Sequence, residues 1–131
     1  MRASDLMIGD YVTVTPSGML IQVAATHKRK VAYHACTDKL SWVREGLLRP
    51  IPLTREILEK NGFEYCEVHR MYLYLDDFFD IKIRQYSDMM WEFTYCNNEM
   101  NLPDTQIAGI GYVHHLQHAL NMVGVEKDII I

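Results

Sequence analysis

No apolar run in these 131 residues approaches the roughly 18 that a membrane-spanning helix needs. Cysteine is scarce too. Cys36, Cys66 and Cys96 form an odd set with no CxxC and no close Cys–His pair. A disulfide framework wants an even and denser set, so it is excluded. Phe63-Glu64-Tyr65-Cys66 echoes Phe93-Thr94-Tyr95-Cys96, but the residues around Cys36 do not continue the echo, so no repeat is read from it. No GxSxG, no phosphate loop and no dinucleotide fingerprint occurs. Disorder needs low hydrophobicity with high net charge, and neither is present. Met1-Arg2-Ala3-Ser4-Asp5 puts an acid where a secretory signal would begin its apolar stretch. The expectation is a cytoplasmic globular protein with no membrane partner, no cofactor and no enzymatic activity.

What is present is unevenly charged. Residues 1–50 carry seven Lys or Arg against four Asp or Glu, a balance of +3. Residues 51–131 carry six against thirteen, a balance of −7. The basic part can attract the acidic part or meet an anionic partner.

The patterning predicts an α+β fold. Five short strands are expected at 10–15, 19–26, 31–36, 40–43 and 48–53, with Val12, Val14, Ile21 and Val23 inward. Their close spacing suggests a small closed SH3-like β-barrel over residues 1–53. A helix should follow, capped by Thr54, stapled by Leu53 onto Leu58 and ended at Asn61-Gly62. An antiparallel meander comes next. Met71, Leu73 and Leu75 alternate with Tyr72 and Tyr74; Phe79, Ile81 and Ile83 alternate with Asp80, Lys82 and Arg84; Trp91, Phe93 and Tyr95 alternate with Glu92 and Thr94. Residues 101–111 read as a loop. A last helix, 112–123, presents Val113, Leu116, Leu120 and Val123 as one stripe and ends at Gly124. Residues 54–131 form this second subdomain, expected to pack with the first into one compact unit. Ile129-Ile130-Ile131 is expected to dock. Trp42 and Trp91 are expected in the core, one in each part.

Three polar constellations could carry chemistry. His114 and His118 lie four apart on the last helix, the spacing at which two imidazoles share a metal. His115 stands where the zinc-protease pattern has its glutamate, so the general base is missing. At ~100° per residue all three histidines fall opposite the apolar stripe, on the polar side. Asp76, Asp77 and Asp80 form an acidic tip without the register of a calcium loop, and a solvated hairpin turn accounts for them. Gly109-Ile110-Gly111 before a helix is a faint anion cradle, for which helix entry is the simpler explanation. The nucleic-acid case rests on the basic tip at Lys28, Arg29 and Lys30, beside Tyr11, Tyr33 and Trp42. Small barrels use exposed aromatics for stacking and basic loops for phosphates.

Three stretches carry a resemblance: Ser4-Asp5-Leu6-Met7-Ile8-Gly9-Asp10-Tyr11-Val12, Pro50-Ile51-Pro52-Leu53-Thr54 leading to Gly62-Phe63, and Tyr112-Val113-His114-His115-Leu116-Gln117. Their order and spacing resemble a family of uncharacterised small proteins from gut anaerobes, their prophages and mobile elements. That family brings no activity. Its pattern holds a histidine at the position of His114 but not at those of His115 and His118, which implies a structural role for His114 at the helix start. The expectation is therefore a non-enzymatic binding or adaptor protein, an accessory product of a phage or mobile element, with a protein partner or its own copy. The alternatives are a nucleic-acid-binding barrel using the 27–30 loop and a metal-dependent hydrolase on His114 and His118.

Overall fold

The computed structural model describes residues 1–35, 39–99 and 103–131; Cys36 lies outside them. Among the described residues the fold is α+β, mostly strands in three antiparallel sheets with two α-helices. No helix among the described residues is long and apolar enough to cross a membrane. The chain forms two compact units, one of residues 1–51 with 112–114, the other of 52–111 with 115–131.

In the first unit a 3-10 turn at Ala3–Asp5 precedes β1 (Tyr11–Val14), β2 (Met19–Gln22), β3 (Ala25–His27), β4 (Lys30–His34) and β5 (Leu40–Arg44). A second 3-10 turn, Glu45–Leu47, leads into β6 (Leu48–Pro50). The strands do not close into one ring. They make two three-stranded sheets, ordered β2-β1-β6 and β3-β4-β5. The strand expected over 19–26 is divided between them. The Val23 N–H still bonds Asp10 O at 2.8 Å, whereas the Ala24 N–H bonds Ala32 O at 2.8 Å. One run of chain thus leaves the first sheet and enters the second, the way corners are turned in packed sheets. Ala3, Leu6, Val12, Val14, Ile21, Val23, Val31 and Leu48 form the core, with Met1, Tyr33 and Val43 packed against it.

Trp42 is not in that core. Val31 pairs with Val43 across β4 and β5, and this pair takes the inner side. Trp42, one residue from Val43, must then face out, and it is 49% exposed. The expected strand facing slipped by one residue here.

In the second unit α1 (Arg55–Lys60) begins where expected. The Thr54 hydroxyl accepts the Ile57 N–H at 3.3 Å, satisfying one of the free donors of the first turn. Gly62, at φ 86°, lets the chain reverse, and the Phe63 N–H reaches back to Leu58 O at 3.0 Å. Leu53 and Leu58 are both buried. Five strands follow: β7 (Glu64–Cys66), β8 (Met71–Leu75), β9 (Phe79–Ser87), β10 (Met90–Asn97) and β11 (Thr105–Ile110). They pair in the order β11-β10-β9-β8-β7. Register puts Tyr72 opposite Ile83 and Phe93 opposite Ile83, so the buried face carries tyrosine, isoleucine and phenylalanine in one row. Trp91 is 2% exposed, as expected.

β11 replaces most of the expected loop. Trp91 pairs with Ile110 but Phe93 with Ile107, so one intervening residue faces two, and Gly109 at φ 79° sits in the bulge. A bulged edge strand opening on Thr105-Gln106 has no clean alternation for a sequence reading to find. α2 (Val113–Met122) buries Val113, Leu116, Ala119 and Leu120. Ile129 is buried, as the apolar tail predicted. Asn61 holds it: its side-chain amide donates to Ile57 O and Ile130 O, each at 2.8 Å, and accepts the Ile130 N–H at 2.7 Å.

Candidate functional site

Strand pairing decides which side chains share the outward face of the β3-β4-β5 sheet. Directly opposed residues point to the same side, and their sequence neighbours to the other. Val31 belongs to the core and Val43 packs against it, whereas Thr26 at the end of their row is exposed. The outward rows are therefore Ala25, Ala32 and Trp42; His27, Lys30 and Arg44; and His34 with Leu40.

Ala32 on β4 lies directly opposite Trp42, and Ala25 lies one strand further on; Ala32 is fully covered, whereas Trp42 is 49% exposed. The His27 ring meets it edge-on, with centroids 6.4 Å apart and planes at 78°. Lys30 and Arg44 lie one row along, about 7 Å away by strand geometry, and Lys28 and Arg29 continue past them into the hairpin turn. All four cationic side chains are exposed. Lys28 holds φ 53°, a left-handed conformation easier for glycine or asparagine. The carboxylate at this end, Glu45, accepts the Ala3 N–H at 2.9 Å and stands 4.0 Å from Arg29 Nε. It is occupied within the fold and offsets only part of the positive charge. One aromatic ring with four cations to one side of it can stack a flat ring and neutralise the phosphates that follow.

Of the six residues expected here, Trp42 and Lys30 share one face of the sheet, and Lys28 and Arg29 lie in the turn next to them. Tyr33 does not: it belongs to the inner row with Ser41 and packs on the core. Tyr11 is on β1, in the other sheet. Arg44 was missed, although the signal was available. It sits two residues after Trp42 on a strand, and period-two alternation puts such residues on one face.

The histidines of α2 are not all on a polar side. His114 is buried at 3% exposure, while His115 and His118 are half-buried. The reason is local. The Val113 N–H donates to Ile51 O at 2.8 Å, and the Tyr112 ring stacks flat on His114, centroids 5.9 Å apart and planes at 7°. His115 Nδ1 accepts the Gly111 N–H at 3.3 Å. Among the described residues no group of three His, Cys, Asp or Glu is placed to hold a metal ion.

The remaining candidates are used by the fold. Asp76 Oδ1 accepts the Phe78 N–H at 3.1 Å, closing the β8–β9 turn, and Asp80 Oδ1 accepts from Asn98 Nδ2 at 3.2 Å. Gly109 and Ile110 belong to β11 rather than to an anion cradle. Burial pushes the Cys96 thiol up, and its hydrogen bond with Asp104 adds to this, the opposite of an activated nucleophile. A cleft of about 560 Å³ lies between Tyr74, Asp76 and Phe79 and residues 124–128, with Lys127 Nζ 4.5 Å above the Tyr74 ring.

Compared with protein-family models, with curated proteins and with solved structures, the chain matches none.

Proposed function

We propose that this chain is a non-enzymatic binding protein whose first unit is an SH3-like barrel that binds nucleic acid through the outward face of β3, β4 and β5. The observation that carries this reading is the register that sets Trp42 beside the row of His27, Lys30 and Arg44. Support for the barrel comes from five strand runs with the second bent across both sheets, and from the 3-10 turn before the last strand. The overall charge of −4 does not oppose it, because the positive balance is concentrated in residues 1–50. The origin in a phage or mobile element rests on the sequence resemblance alone.

The test is titration with nucleic acid at two salt concentrations. Binding should weaken steeply as salt rises, since each neutralised phosphate releases counterions. The double variant Lys30→Ala/Arg44→Ala should flatten that dependence. Salt-insensitive binding, or none at low salt, removes the reading. A protein partner is the second reading, supported by Leu75 and Phe78, which stand exposed together around the β8–β9 turn. Capture of a partner that Leu75→Ser/Phe78→Ser abolishes, with nucleic-acid binding absent, would favour it.

A further inference from the structure

We infer that the ligand of this face is single-stranded nucleic acid, with one base stacked on Trp42 and the adjoining phosphates held by Lys30, Arg44 and the hairpin tip. The inference rests on the nucleic-acid reading above and narrows it.

The argument is from what each side chain can reach. A tryptophan that rises from a sheet offers a flat apolar plane. In a duplex the faces of the bases are covered by their neighbours, so such a plane finds nothing to stack on. In a single strand every base has a free π-face, and stacking on an aromatic contributes without reading sequence. The His27 ring stands at 78° to the indole with centroids 6.4 Å apart, so the two rings are in contact without stacking. The cations lie to one side of the aromatic, in the next row and the turn beyond it, so a strand would run along the face from Trp42 toward Lys28.

The two tryptophans make the experiment direct. Trp91 is 2% exposed and Trp42 49%, so a change in intrinsic fluorescence on adding an oligonucleotide reports Trp42. The intact protein is titrated at low salt with a short thymine oligodeoxynucleotide, the corresponding uracil oligoribonucleotide, a blunt DNA duplex and heparin. The two single strands separate DNA from RNA as the source. The expected result is quenching by one or both single strands and tighter binding of them than of duplex. Trp42→Ala should weaken single-strand binding about 5- to 150-fold and leave heparin binding unchanged. Trp42→Phe should lose less, and far-ultraviolet circular dichroism checks that both variants fold. Lys28→Gly removes a charge without breaking the turn and should lower the salt slope by about 0.7. If duplex and heparin bind as well as single strands and the emission does not move, the single-strand inference is wrong while the anion-binding face stands. If no polyanion binds at low salt, both are wrong.

Discussion

Asn61 is 4% exposed, and its amide makes three hydrogen bonds that join the end of α1 to Ile130. Asn61→Ala deletes all three, but the consequences differ by group. Ile57 O keeps the Asn61 backbone N–H at 3.1 Å as a partner, so that carbonyl loses little. The N–H and C=O of Ile130 lose their side-chain partner, and each unsatisfied group costs about 1 kcal/mol at a site water can partly reach. If the tail lifts to rehydrate them, Ile129 leaves its buried place, which costs about 1.5–3 kcal/mol. Either route gives an expected loss of about 2–3 kcal/mol for Asn61→Ala. Deleting residues 129–131 should cost a similar amount. The two changes combined should cost less than their sum by about 1–2 kcal/mol, because without the tail two of the three bonds have no partner left. Urea unfolding followed by the fluorescence of buried Trp91 measures each arm. Additivity within about 0.5 kcal/mol would refute the account. Asn61→Asp sharpens it. The carboxylate keeps the Ile130 N–H but faces two carbonyls to which it cannot donate, so burial raises its folded pKa. Its stability should then be intact below the unfolded aspartate value of about 3.9 and fall as pH rises.

Four further outcomes test other parts of the structure. Thr54→Ala should cost about 0.5–2 kcal/mol through loss of the cap on Ile57, read by thermal or urea unfolding. Leu116→Ala, which truncates a fully buried side chain, should cost about 2–5 kcal/mol, more than truncation of half-buried His118; equal losses would mean the stripe of α2 is rotated. Burial raises the Tyr72 hydroxyl above its ordinary value of about 10, and the hydrogen bond with Glu59 at 3.2 Å adds to it. A raised folded pKa contributes stability that is full below that value and lost as pH climbs through the folded one, so alkaline unfolding should be shallower in Tyr72→Phe than in the parent. Gly111→Ala should be destabilising, since its Cβ would stand 2.9 Å from the Met89 carbonyl oxygen. Normal stability of that variant would show that the backbone there yields.

Where local chemistry decides structure, the sequence was readable. Thr54, Asn61 and Gly62 punctuate α1 because each answers a backbone need inside its own turn. Ile81 and Ile83 face inward because alternation with Asp80, Lys82 and Arg84 leaves no other choice. The misses come from elements set by partners distant in the chain. β11 exists because β10 offers it an edge and Gly109 absorbs the extra residue of the bulge, and neither fact is local to residues 105–110. The second strand was expected whole because its residues are uniformly strand-like; its division at Val23 and Ala24 depends on hydrogen bonds to Asp10 and Ala32.

The candidate site shows how one such error propagates. Placing Trp42 in the core and placing it on a binding face are incompatible, and the residues of β5 alone do not choose, since Ser41 and Val43 alternate with Leu40, Trp42 and Arg44 without a clear polar side. The choice is made on the neighbouring strand. Val31 is bulky and apolar, Ala32 is small, and the register pairs them with Val43 and Trp42. Val31 and Val43 pack on the core, so the opposite parity of β5 turns Trp42 out. The same parity carries Arg44 and Lys30 outward with it and turns Tyr33 inward. A substitution that reversed the preference, Ala32→Val together with Val31→Ala, should therefore destabilise the first unit while leaving the charge of the hairpin tip unchanged. It should weaken oligonucleotide binding even where folding survives, because the stacking plane and the cationic row would no longer share a side. Unfolding of the variant and its titration with a thymine oligonucleotide measure the two effects separately. Retained affinity in a folded variant would show that the tip alone, and not the face, does the binding.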